Sequence, residues 1–153
     1  MNKKLKLEPE YIIGIPGIDL QHSELLRKCN ELLDCLERQT EPRDSILVQI
    51  QKIIEELRLH FDTEQILLDM IDFPGKDKQR SNHQELLGLL VRNPELFTKR
   101  SNDEIKVLIS TFRDSYLVHI LESDREFAIH IENLMKIKQK YNITALKAQS
   151  IIK

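Results

Sequence analysis

His60 and Glu64 stand four residues apart in the stretch His60-Phe61-Asp62-Thr63-Glu64. On a helix their side chains lie one turn apart on the same face. Both fall on an apolar seam that reads Ile46, Ile50, Ile53, Leu57, His60, Glu64, Leu67, Ile71. Its steps alternate between four and three, the pattern of a helix packed in a bundle. A carboxylate therefore stands where the rest of the helix buries Ile and Leu, and that costs free energy unless the group is paired or holds a metal. Three other seams carry residues of the same kind. One reads His22, Leu25, Cys29, Leu32, Leu36; another Gln79, His83, Leu86, Leu90; the last Ile105, Ile109, Phe112, Tyr116, His119 and then, out of step, Asp124, Phe127, Ile131, Leu134.

The elements that must position these residues follow from the punctuation of the chain. Residues 1–18 form an arm ending in Gly14-Ile15-Pro16-Gly17, which is loop chemistry. A first helix starts near Ile18 or Asp19 and ends before Thr40-Glu41-Pro42, where Thr40 is a candidate N-cap for the second helix and Pro42 suits its first turn. The second helix runs to about Ile71 and is broken by Asp72-Phe73-Pro74-Gly75; the third runs from about Lys76 to Val91, before Asn93-Pro94. Leu96 and Phe97 fit a short turn, and Ser101-Asn102-Asp103-Glu104 is a capping box that opens the fourth helix. His119 and Asp124 are five residues apart, ~140° around an ideal helix. Either the helix widens there into a π-type turn, or the reach of the aspartate absorbs the offset. The expected architecture is an all-α, up-down-up-down four-helix bundle over residues 19–139, with residues 140–153 a tail of weak helical character.

Composition agrees. Of 153 residues, 31% are charged and 41% hydrophobic, with four glycines, five prolines and no tryptophan, which suits a helical domain and not a β-rich one. A net charge of −2 gives no electrostatic reason to bind nucleic acid or anionic lipid, and Lys3, Lys4 and Lys6 are too few for a polybasic anchor. No apolar run approaches membrane-spanning length and there is no signal-peptide core, so a cytoplasmic location is expected. Cys29 and Cys35 are six apart on one helix and face roughly opposite sides, so they should not pair; Cys29, on the seam, reads as a buried small hydrophobe.

In an antiparallel bundle the start of helix one, the end of helix two, the start of helix three and the later half of helix four lie toward one end. His22, His60, Glu64, His83, His119 and Asp124 therefore converge on one layer. A single core histidine is ordinarily just hydrogen-bonded, but four such coincidences in one layer describe a metal site. Two carboxylates with four imidazoles suit two borderline metals, with iron or manganese favoured and zinc next.

The set Gly14-Ile15…Ile18-Asp19-x-Gln21-His22, His60-Phe61-x-x-Glu64, Pro74-Gly75…His83 and His119-Ile120-x-x-x-Asp124 resembles the hemerythrins, particularly the single-domain bacterial ones, over about residues 7–131. The resemblance implies a non-haem site of two iron ions that binds dioxygen reversibly. It implies that Glu64 and Asp124 bridge the irons, that His22 and His60 serve the iron that takes oxygen, and that His83 and His119 serve the other. This chain departs from the family at Gln79, where a histidine is usual, at Leu7 and Ser115, where tryptophans are usual, and at Tyr116, where a leucine is usual.

Gln79 could offer its amide oxygen or leave a position to water. Tyr116 could donate a proton, hydrogen-bond a ligand or ligate a metal, or simply fill core space with its hydroxyl bonded elsewhere. Asp19 could orient a ligand from behind or cap the first helix. His130, ~16 Å along the helix from His119, reads as a surface or flank residue. The resulting reading is a di-iron protein that binds or senses dioxygen. Its alternatives are a di-iron enzyme consuming oxygen or peroxide, and a degenerate bundle holding one metal or none.

Overall fold

Pro16 lacks a donor that a first helical turn would leave unused anyway, and helix α1 (Pro16–Arg38) starts on it, slightly earlier than the sequence suggests. In a computed structural model describing residues 8–92 and 94–151, the chain is all-helical, with no strand among the described residues. Leu7, Lys3, Lys4, Lys6 and Asn93 lie outside the described residues. After α1 come α2 (Arg43–Met70), α3 (Lys76–Val91), the short α4 (Pro94–Lys99) and α5 (Asn102–His119). A π-helical turn over Ile120–Asp124 carries α5 into α6 (Arg125–Ile151). No helix among the described residues is long and apolar enough to cross a membrane.

The helix ends show which local signals won. The capping box of α5 is complete: Glu104 N–H donates to Ser101 Oγ at 3.2 Å and Ser101 N–H to Glu104 Oε2 at 2.8 Å. Thr40 does not cap α2. Its N–H closes α1 instead, onto the Cys35 carbonyl at 3.3 Å, and the N-cap of α2 is Pro42, with no side-chain cap. The start of α2 is held by Arg43, whose guanidinium donates to Asn102 at 3.0 Å and to the Arg100 carbonyl. Asp19 neither caps α1 nor reaches the histidines. Its carboxylate accepts from Ile13 N–H at 2.8 Å and Gly14 N–H at 3.0 Å, folding the arm back over the helix start. Gly14 permits that fold with φ +89°, a conformation side chains rarely adopt.

α1 packs on α2 and α5, and α3 packs on α2 and α5. Gln21 near the start of α1 meets His60 near the end of α2, while Lys106 near the start of α5 pairs with Glu37 near the end of α1. Asn82 of α3 donates to Ser123 of the π turn at 3.2 Å. Every seam residue assigned to α1, α3 and α5 is buried. On α2 the seam drifts: Phe61 and Leu68 are buried, whereas Leu67 and Ile71 are half-buried. A strict seven-residue repeat slips by ~20° per heptad on a straight helix, which moves the buried line by one residue. On α6 Phe127 is buried and Ile131 half-buried, but Leu134 is exposed, since the helix runs exposed over residues 132–143. The residues read as a weakly helical tail are helical through Ile151.

The apolar interior is divided. A large cluster, including Leu25, Leu32, Ile53, Leu57, Ile109 and Phe112, fills most of it. A small cluster of Ile18, Leu68, Phe73 and Phe127 closes the other end. Gly75 lets the chain turn beneath Phe73, whose ring a Cβ at that position would meet at 2.6 Å. His130 lies half-buried on the flank, edge-on to Phe73 at 5.1 Å between ring centroids. Between the two clusters lies a layer of buried polar side chains.

Candidate metal centre

Each helix brings its polar residue to this layer from between apolar neighbours: His22 between Ile18 and Leu25, Glu64 between Leu57 and Leu68, Asp124 between Ile120 and Phe127. His22, Glu64 and Asp124 have no exposure, and His60, Gln79, His83 and His119 are also buried. The π turn is what delivers Asp124. A regular helix would rotate it ~140° from His119, and the widened turn brings both to one point, with His119 Nε2 3.1 Å from Asp124 Oδ1.

The carboxylates divide their oxygens. Glu64 Oε1 faces His60 Nε2 at 3.1 Å and His22 Nε2 at 3.5 Å, while Oε2 faces His83 Nε2 at 3.0 Å. Asp124 Oδ2 faces His22 Nε2 at 3.1 Å, and Oδ1 faces His119. Two groups result. His22, His60, Glu64 and Asp124 form one; His83, His119, Glu64 and Asp124 form the other; in each, the donor atoms lie within 4.8 Å of one another. Glu64 and Asp124 belong to both.

These close approaches are not aligned hydrogen bonds. The Nε2 atoms of His22, His60, His83 and His119, both oxygens of Glu64 and Oδ2 of Asp124 are buried without a hydrogen-bond partner. Buried polar atoms are rarely left so. Donor atoms that crowd together without bonding each other are aimed at a shared point, and imidazoles with carboxylates are a donor set for a borderline divalent cation. The residues present thus fit a metal.

Electrostatics in the metal-free chain fit as well. Burial disfavours a charged His22, but the carboxylates of Asp124 and Glu64 outweigh it and raise His22 to about 9. Burial would raise Glu64, but His60, His22 and His83 bring it well below the usual carboxylate range. Burial and Glu64 would raise Asp124, but His119 and His22 lower it. The raised His22 favours its protonated form in the metal-free chain, so a metal binding there competes with a proton.

Residues 14–129 match the family described as the hemerythrin HHE cation binding domain. This chain belongs to the hemerythrin family. No curated protein and no solved structure gives a significant match. The hemerythrin match spans all six candidate ligands and the π turn, so the buried donor cluster lies within a cation-binding domain.

Three neighbours complete the hemerythrin-like layer. Gln21 Oε1 lies 2.8 Å from His60 Nδ1. It fixes the ring so that Nε2 faces Glu64, the orienting role considered for Asp19. In the sequence Gln21 shows only as part of the Asp19-x-Gln21-His22 motif, beside His22 and off the α1 seam. Gln79 donates its amide N–H to Asp124 Oδ1 at 2.7 Å, leaving its own Oε1 buried and unpaired. Tyr116 is wholly buried, stacks on Phe112 at 5.7 Å and stands edge-on to His22 at 5.7 Å and His60 at 6.0 Å. Its hydroxyl has no partner, so it is not bonded elsewhere in the core. Burial, with Glu64 and Asp124 nearby, pushes the phenol well above its ordinary pKa and keeps it neutral.

The two groups differ in access. His83 and His119 line surface depressions of ≈ 300 Å³ and ≈ 290 Å³ on the two sides of α3. Ser115 lines the second beside His119. His22 and His60 line neither depression and pack edge-on to Tyr116.

Proposed function

We propose that this chain is an up-down-up-down four-helix bundle whose polar layer holds two iron ions bridged by carboxylates, and that it binds or senses dioxygen. The observation that carries the reading is the sharing of Glu64 and Asp124 by two donor groups, each completed by a different pair of histidines. A single cation needs one such group; two groups with common carboxylates describe a pair of ions. His22 and His60 would hold one ion, His83 and His119 the other, with Glu64 and Asp124 between them. When bound, an iron pair supplies the electrons and open positions for taking up a diatomic ligand, and manganese or zinc suits the same donors. The protein's part is to hold the donors, exclude bulk water through the two apolar clusters and orient His60 through Gln21.

A second reading, an enzyme that consumes oxygen or peroxide, is favoured by Gln79. Its amide N–H binds Asp124, so the His83–His119 group has two imidazoles and no third. Both ions would then keep open positions, which suits turnover better than storage. The deciding experiment is anaerobic loading with ferrous iron, followed by iron determination and stopped-flow absorbance on exposure to oxygen. Two ions per chain with a reversible oxygen-dependent spectrum is the expected result for a binder. Fast irreversible oxidation supports the enzyme, and one ion or none refutes the pair.

A further inference from the structure

We propose that divalent cations reach the buried centre through the depression beside His119, with Glu85 and Glu122 as the carboxylates that gather them at its mouth. The proposal rests on the reading of the polar layer as a metal centre and adds the side from which ions arrive.

His22, Glu64 and Asp124 have no exposure, so an ion cannot meet them directly from solvent. The layer does meet two surface depressions, one through His83 and one through His119. These differ in charge. The depression at His83 carries Arg58 and Arg80 against one carboxylate, Asp62. Phe61 also lies flat on the His83 ring there, with centroids 4.0 Å apart and 9° between the planes. A cation on that side meets net positive charge and a covered imidazole. The depression at His119 carries Glu85 and Glu122, with no lysine or arginine among its lining residues.

Both glutamates are exposed, and neither forms an ion pair or hydrogen bond among the described residues. Charge of one sign at the mouth of a cleft concentrates the opposite ion and speeds its arrival. Further lining comes from Asn82, Ser115 and Ser123. Asn82 uses its amide N–H on Ser123 Oγ at 3.2 Å, which leaves its carbonyl oxygen to accept from the water shell of an ion. Carboxylate, carbonyl and hydroxyl oxygens suit a divalent ion that still holds its water.

His119 makes the connection inward. It is 6% exposed, its Nε2 has no hydrogen-bond partner, and that atom stands 3.1 Å from Asp124 Oδ1. One ring therefore belongs both to the wall of the depression and to the His83–His119 group. An ion that leaves the oxygen-lined mouth meets an imidazole already turned to the centre. Ser115 beside it has a small side chain, and a large one there would fill the space of ≈ 290 Å³.

The probe is cobalt(II), mixed by stopped flow with the metal-free protein; absorbance follows its uptake, and cobalt per chain is measured at the end point. The double substitution Glu85→Gln, Glu122→Gln removes two charges and little shape. It should load about tenfold more slowly at low ionic strength, with the end point unchanged in excess cobalt. The gap should close to within about twofold in 1 M sodium chloride, where charges are screened beyond ~3 Å. Ser115→Trp fills the depression without touching a charge, so it should slow loading at both salt concentrations. Asp62→Asn, on the other depression, should load within about twofold of the parent. A double glutamine variant within about twofold of the parent at low ionic strength overturns the proposal, and so does a Ser115→Trp protein that loads as fast as the parent. A parent that takes up no cobalt refutes the metal centre and this proposal with it. One ion per chain refutes only the pair, and the rates still decide the route.

Discussion

Glu64→Gln keeps the shape of the side chain and removes its charge, so what it costs is not a cavity. Glu64 has no exposure and gives one oxygen to each histidine group, Oε1 to His60 at 3.1 Å and Oε2 to His83 at 3.0 Å. One substitution therefore reaches both groups. With free ferrous iron at about a hundred times each site's Kd, each ion stabilises the folded chain by about 2.7 kcal/mol, and two by about 5 kcal/mol. For a domain of this size each kcal/mol raises Tm by roughly 2–4 °C. Iron should then raise the parent's Tm by about 10–20 °C. The amide of the variant has one oxygen and no charge with which to bridge two cations. Its iron-dependent shift should fall below about 5 °C, with no more than one ion bound. Anaerobic scanning calorimetry with and without iron, beside colorimetric iron determination, is the assay. A variant that keeps both ions and the full shift would refute the shared-carboxylate reasoning.

Gln79→His adds an imidazole to the His83–His119 group, so the second ion should bind more tightly and the ferrous protein should oxidise more slowly in air; equal affinity and equal rate would show that position 79 does not face an ion. Gln21→Leu leaves His60 Nδ1 without its 2.8 Å partner, and loss of such an orienting group typically weakens metal binding by ~10–100-fold; competition against a chromogenic chelator measures it, and an unchanged affinity would remove Gln21 from the site. The Cys29 thiol has no exposure and is pushed up to about 12 by burial, whereas Cys35 is half-buried. A thiol reagent should modify Cys35 alone in the folded protein and both cysteines in denaturant, and rapid labelling of Cys29 in the folded state would refute its burial.

Much of this layer was legible because imidazoles and carboxylates at apolar seam positions are expensive, and the seams of α1, α3 and α5 fall where the periodicity places them. The slip between His119 and Asp124 marked the place, but spacing alone left a π turn and a long aspartate reach both open, and the structure has the π turn. Other features depend on contacts that periodicity does not encode. Asp19 turns toward Ile13 and Gly14 because the arm folds back, and nothing in a local pattern fixes that path. Thr40 has the chemistry of a cap, but its N–H serves the end of α1. Leu134 continues a seam whose packing has already run out. Gln21 lies off the α1 seam, so its bond to His60 becomes visible only when α1 and α2 are placed side by side.

The polar layer divides the apolar interior in two, and this makes it an alignment key. If α1 slid one turn along its neighbours, Ile18 or Leu25 would face Glu64, and a charged carboxylate would be left against hydrocarbon, at a cost of several kcal/mol. The same misfit would strand Asp124 if α5 slid, and the imidazoles of α2 and α3 would lose their partners together. A uniformly greasy interior would tolerate neighbouring registers; this one rejects them at every helix at once. The chain can thus select its helix alignment before any ion arrives, and an ion then meets donors already gathered within 4.8 Å of one another.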